Sequence, residues 1–224
     1  MDWQAFQLSI QLGGLTVVLL IPAAIVVARI LAWNRFPGKS LVQAVLALPL
    51  LLPPTVLGFY MLTAFGGNSI LGGWYESLSG RTLVFSFEGI LLASVIFNIP
   101  FAVQPVQRAF ESISSSIREA AWCSGLSGWQ TFWRIELPLA WPGVVSAVVL
   151  TFAHTLGEFG VVLLVGGNIP EETRTVAIAI YDRVQAFDNH SAGVMSALLL
   201  SISFIAISLI YFLNNRVTLR LHAN

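Results

Sequence analysis

The side chains in this sequence with reactive or ion-handling potential are few, and they cluster at the ends of apolar runs. Glu158 closes one such run, with His154 four residues earlier and Thr155 and Thr151 on the same stretch. At that spacing a carboxylate and an imidazole share a helix face and can hydrogen-bond. A carboxylate at a span end is costly unless paired or wet, so Glu158 is a candidate cap or gate. A metal site is not expected, because two ligands without a third make a poor coordination set. The single cysteine, Cys123, excludes an internal disulfide framework and a cysteine-built metal site. Phe36-Pro37-Gly38-Lys39-Ser40 comes nearest to a phosphate loop, yet Trp33 stands where that motif needs glycine. Lys39 then reads as a cytoplasmic anchor. No Ser-His-Asp order and no carboxylate pair supports an enzyme, so no catalytic residue is expected.

The elements that position these groups belong in lipid. The chain has 224 residues, 56% hydrophobic and 10% charged, against about 25% charged in an average soluble domain. A formal net charge of zero argues against nucleic acid as a partner. A bilayer crossing needs about 20 apolar residues as helix. Five runs qualify, near 9–32, 41–65, 86–108, 139–158 and 193–214, in a single all-α transmembrane domain over 1–224. The first run lacks a basic leader and a cleavage site, and reads as a retained span. Residues 1–8 read as an amphipathic interfacial piece. The stretch 159–168 is apolar but too short to span; it either continues the fourth helix or re-enters. An outer amphipathic helix is expected over 174–187, with Val176, Ile180 and Val184 on one stripe.

Lys and Arg near span ends favour the cytoplasm. With the N-terminus outside, the inner side holds eight basic residues (Arg29, Arg35, Lys39, Arg108, Arg118, Arg134, Arg216 and Arg220) and three acidic ones. The outer side holds Arg81, Arg174 and Arg183 with eight acidic residues. The C-terminus and the 109–138 loop then lie inside. The proline run Pro49, Pro53, Pro54 must kink or unwind the second span, because proline removes backbone donors. Pro53, Pro54 and Thr55 there, with Thr155 and Glu158, are candidates for a translocation path or gate. Asn98, Pro100, Gln104, Pro105 and Gln107 polarise the end of the third span in the same way.

The polar stretch within 109–138 reads as two short helices, about 117–124 and 128–136, hinged at Gly125-Leu126-Ser127-Gly128. Ser116 with Glu119, and Ser127 with Gln130, fit capping boxes. Gly125 fits the residue after a helix end, and Leu137-Pro138 is expected to stop the second helix. Helices this short are marginal alone, and Trp122, Leu126, Trp129, Phe132 and Trp133 supply apolar surface for packing or for a partner. An interfacial helix pair under the bilayer is the alternative. A DNA-binding helix-turn-helix lacks the basic face it would need.

Glu119-Ala120-Ala121, Gly125, Ile135 and Leu137-Pro138 resemble the EAA loop of ATP-binding-cassette importer permeases. The resemblance implies a type I importer permease fold with a cytoplasmic coupling loop that enters a groove on an ATP-binding subunit. It implies two ATPase copies, a second permease copy as homodimer and a solute-binding protein. It implies an inner-membrane location, and ATP used by the partner with no cofactor on this chain. The segments Pro49–Gly58, Leu156-Gly157-Glu158-Phe159-Gly160 and Gly166-Gly167-Asn168 resemble molybdate permeases, which implies molybdate delivered by a periplasmic or extracellular binding protein. Sulfate and tungstate permeases, and a non-ABC secondary carrier, stay as alternatives.

Overall fold

Helix-breaking residues divide the apolar runs more finely than hydropathy alone suggests. The structure is a computed structural model and describes residues 2–222. Its elements are α1 (Trp3–Trp33), α2 (Lys39–Leu51), α3 (Pro54–Phe65), α4 (Ile70–Ser79), α5 (Phe87–Glu111) and α6 (Ser115–Cys123). They continue with α7 (Gly128–Thr131), a π turn (Phe132–Glu136), α8 (Leu137–Gly157), α9 (Gly160–Gly166), α10 (Val176–Gln185) and α11 (Asn189–His222). Four helical stretches are long and apolar enough to cross a membrane, or five if the bent pair α2–α3 counts as one. The expected number of spans is borne out, and the placement is corrected in detail.

The first correction is at the N-terminus. Residues 3–8 are not a separate interfacial piece but the opening turns of α1, which Asp2 caps by accepting from the Ala5 N–H. The second concerns 41–65. Leu52 is extended, as a residue before proline prefers, and Pro54 opens α3, where its missing N–H costs nothing. The two halves meet at 110°. At 13 and 12 residues each is about 20 Å long, short of the ~30 Å hydrocarbon core. This is a broken span, as the prolines imply, and sharper than a kink. Between the expected second and third spans, within 66–85, a further short helix forms: α4, capped by Ser69.

The frame is α1, α5 and α8, which pack on one another more than any other helices do. Their shared core holds Leu20, Ala24, Ala28, Leu31, Val106, Phe110, Ala140 and Val144. Small residues let the helices approach. A Cβ on Gly143 would lie 2.4 Å from the Ala109 Cβ and 2.7 Å from the Pro105 carbonyl oxygen, so only glycine fits this α5–α8 crossing. The stretch 159–168 does not continue the fourth helix, which leaves the re-entrant alternative. Glu158 is extended, and α9 forms as a separate turn pair whose Val161, Val162 and Val165 are buried against α3 and α5. The amphipathic helix expected over 174–187 forms as α10, but its buried face is Val176, Ile178 and Ala179, while Val184 is exposed. The side chains of Arg216 and Arg220, and those of the tail after residue 214, lie outside the described residues.

Candidate functional site

Two regions carry unusual chemistry. The first is the α6–α7 loop. The α6 helix ends as a Schellman motif: the Gly125 N–H donates to the Trp122 carbonyl and the Leu126 N–H to that of Ala121. Gly125 sits at φ 79°, where a Cβ would be strained. Ser127 and Gln130 form their capping box, with both hydrogen bonds present. The Ser116–Glu119 box does not form. Helix α6 starts two residues earlier, Ser114 is its cap, and the Ser116 N–H donates to the Ser114 hydroxyl. Ser114, the nearer serine, wins the local competition for orphan donors.

Leu137-Pro138 does not stop the helix. Proline clashes with the carbonyl four residues back, and the chain avoids this by widening one turn into π geometry, with the Leu137 N–H reaching the Phe132 carbonyl. Residues 128–157 therefore run as one continuous helical stretch.

That π turn presents Glu136, whose side chain is 0% exposed, to two arginines from elsewhere. Arg29 Nε, on α1, donates to Glu136 Oε2 at 2.6 Å, and Arg118 Nε, on α6, donates to Oε1 at 2.8 Å. The Arg118 guanidinium also lies 4.0 Å over the Trp33 ring and 5.0 Å from Trp122, and that of Arg29 lies 5.2 Å from Phe132. Three charges thus bind α1, α6 and the head of α8 into one body. The sequence reading missed this knot. Its only signal was that all three residues had been assigned to the same side of the membrane.

The expected loop residues divide around it. Glu119, Ala120, Gly125 and Pro138 are exposed, Ala121 is buried, and Ile135 and Leu137 are half-buried. Trp129, 70% exposed, makes an edge contact with the half-exposed Trp133 at 5.5 Å, and Trp122 at the end of α6 is half-exposed as well. The loop is therefore held rigidly from behind and offers apolar surface in front.

The second region is where the two helix breaks meet. A Cβ on Gly160 would lie 2.8 Å from the Pro54 Cβ, so the α8–α9 break touches the start of α3. Glu158 Oε1 accepts from the Val161 N–H at 2.8 Å, capping α9, and the side chain is buried. It does not pair with His154. The His154 ring is instead stacked between Phe97 and Phe101 at 4.8 and 4.0 Å, with Nδ1 3.2 Å from Asn98 Oδ1. Thr155 is buried too: its hydroxyl donates to the Thr151 carbonyl and accepts from Asn98 Nδ2. Pro53, Pro54 and Thr55 are exposed. The candidate gate residues thus come together only in part. Pro53, Pro54 and Glu158 adjoin, whereas Thr155 is turned into the α5–α8 contact.

A separate groove, walled by α2, α5 and α8, lies along the half of α5 nearer the loop. It comprises two adjoining hollows of about 320 and 490 Å³ that share Pro100, Gln104 and Arg108. No cluster of three or more metal-ligating side chains occurs among the described residues.

Comparison with known proteins gives this geometry a context. Residues 21–219 match the family described as binding-protein-dependent transport system inner membrane component. The molybdenum transport system permease protein ModB of Azotobacter vinelandii is 44% identical over 210 residues, covering 94% of this chain and 93% of that one. A probable sulfate transport system permease protein cysT of Chlorokybus atmophyticus is 32% identical over 191 residues, covering 85% of this chain and 66% of that one. Among solved structures, the bacterial alginate ABC transporter in complex with its pentasaccharide-bound periplasmic protein matches with a TM-score of 0.77 at 17% identity, covering 96% of this chain and 78% of that one. At that identity the likeness concerns the fold.

Proposed function

We propose that this chain, which belongs to the binding-protein-dependent transport system inner membrane component family, is the membrane-spanning permease of an ATP-driven molybdate importer. It is a transport subunit rather than an enzyme, and it works with an ATPase and a solute-binding protein. Residues 1–224 act as one membrane unit. The observation that carries the mechanism is the braced loop: exposed Trp122, Trp129 and Trp133 on a segment that the Arg29–Glu136–Arg118 knot holds to the bundle. Aromatic residues on a rigid support are what a protein partner grips. Force applied at α6 reaches α1 and α8 together, because the knot leaves no slack between them.

The loop end faces the cytoplasm, with the N-terminus outside and the C-terminus inside, as the basic residues favour. Two copies of the chain flank the path, each engaging one of two ATPase subunits through Glu119, Ala120, Ala121, Gly125, Ile135, Leu137 and Pro138. ATP is bound and hydrolysed by those partners. At the opposite end the acidic surface persists: Arg174 is shared among Asn168, Asp2 and Asp182, while Glu171 and Glu172 stay exposed. Such a face steers a binding protein with a basic rim. Closure of the ATPases turns the bundles outward, and oxyanion enters between the copies past the Pro53–Pro54–Thr55 and Thr155–Glu158 region.

Molybdate is favoured over sulfate by the higher identity and fuller coverage of the molybdenum permease relative. A secondary carrier would use a mid-span carboxylate for ion coupling, and Glu158 is already engaged as a cap. The test is uptake of radiolabelled molybdate by proteoliposomes holding the permease, its ATPase and its binding protein. Uptake should require ATP, be competed by excess tungstate and resist excess sulfate. Glu119→Lys should weaken ATPase association while leaving membrane insertion intact. Uptake without ATP, or sulfate uptake alone, would defeat the reading.

A further inference from the structure

The groove walled by α2, α5 and α8 has a polarity that the packing of the bundle does not require. Pro100, Gln104, Arg108 and Glu111 recur at helical spacing along one face of α5 and line it, so they share a stripe. A polar stripe of this kind inside a membrane bundle faces protein or water, because lipid cannot satisfy it. Gln43 stands across from it on α2.

The charges in the groove are arranged unequally. Glu111 is engaged: its Oε1 accepts from Gln107 Nε2 at 2.8 Å. The Arg108 guanidinium, like those of Arg35, Arg81 and Arg134, has no ion pair or hydrogen bond among the described residues, whereas Arg29, Arg118, Arg174 and Arg183 are all paired; of the unpaired four, Arg108 lines the groove. The side-chain amides of Gln43 and Gln104 also have no partner among the described residues. One guanidinium and two amides therefore converge on a hollow from two helices, with their donors unspent. A guanidinium presents a planar fork of donors that matches the oxygens of a tetrahedral oxyanion. Because Arg108 is exposed to solvent, such a contact is weak, as a transit site must be.

We infer that Arg108, Gln104 and Gln43 form an oxyanion contact at the loop-end mouth of the groove, the last protein surface an anion meets on its way out. Glu111 lines the same hollow, held by the Gln107 amide, and its charge offsets that of Arg108 and keeps the anion contact weak. The inference rests on the importer reading for its direction of transit, but not for its chemistry.

The experiment uses the assembled transporter with Cys123 replaced by serine, since that thiol is exposed. Ala47→Cys then places a reporter on the groove wall. An anionic and a neutral thiol reagent are compared. With Arg108 present the anionic reagent should be favoured, and Arg108→Gln should lower the ratio of the two rates about threefold, as one nearby charge in a wet site predicts. Arg108→Lys should restore most of it. Millimolar molybdate should slow labelling by the anionic reagent only while Arg108 is present. A structural disturbance would change the neutral rate as well, and so is told apart. An unchanged ratio in Arg108→Gln, or molybdate protection that survives it, would overturn the inference. Failure of wild-type molybdate uptake would sink the importer reading and leave the labelling result standing. Normal uptake with an unchanged ratio would do the reverse.

Discussion

Glu136 and Glu158 are both buried carboxylates, and they are held in opposite ways. Glu136 is neutralised by two guanidinium groups from helices distant in sequence, so it ties three elements together. Glu158 has no cationic partner among the described residues; it is satisfied by a backbone N–H three residues on, so it fixes only the start of α9. The difference separates a tie between elements from a local cap. A charge locked by remote partners cannot shift without carrying α1, α6 and α8 along. A charge satisfied by its own neighbouring amide ties nothing beyond α9, which is held against α3 and α5 by the apolar packing of Val161, Val162 and Val165. Ion pairing thus locks the loop end, and packing alone holds the place where the two helix breaks touch.

The most forceful way to break this contrast is Glu136→Ala. Removing one partner strands two cations, a change that costs about 3 kcal/mol for a buried network. Thermal unfolding in detergent should fall clearly, and loop motion should no longer reach α1. A smaller loss is expected from the additional change Arg29→Met in that background than in the wild type, because the arginine has already lost its partner. Additive losses would show that the knot is not a unit.

Next in size is Gly160→Val. The new side chain would press on Pro54 at the junction of the two breaks, an overpacking cost of about 1–3 kcal/mol. Uptake should drop more than ATPase association does, which would confirm that the junction and the loop do different jobs. Equal loss of both would merge them.

The smallest effect concerns the opposite end. Hydrogen bonds from the Ser191 side chain and then its backbone N–H, with nearby Arg183 and His190, hold the Asp188 carboxyl below its ordinary range. A depressed value in the folded state means stabilisation that is present above the unfolded carboxylate's pKa and lost as pH falls through the folded one. Amide exchange at Ser191 and Ala192, in the first turn of α11, should speed up in acid, and Asp188→Asn should flatten that dependence. A flat profile in the wild type would remove Asp188 as the cap.

What could be read in advance depended on distance along the chain. The Gly125 terminus and the Ser127–Gln130 box were legible because all their partners lie within a few residues. The α2–α3 break was legible because proline acts on its own neighbours. The Glu136 knot was not, since Arg29 lies 107 residues away and only the folded bundle brings it near. Pro138 misled for a related reason. Its clash was foreseen, but the π turn that absorbs it depends on the buried contacts of Phe132 and Glu136. The His154–Glu158 pair failed because each side chain found a better partner, Asn98 for one and the Val161 amide for the other.

The π turn at Phe132–Glu136 also fixes the chain's arithmetic. It spends one residue more than an α turn on the same revolution, so the extra residue is carried without rotating the loop about the axis of α8. Deleting a single residue there would let the turn relax to ordinary α geometry and leave the aromatic face pointing where it does. Deleting one from the regular helix that follows would swing the loop by about 100° and point that face sideways. The stretch thus acts as a length buffer that keeps membrane and loop in phase.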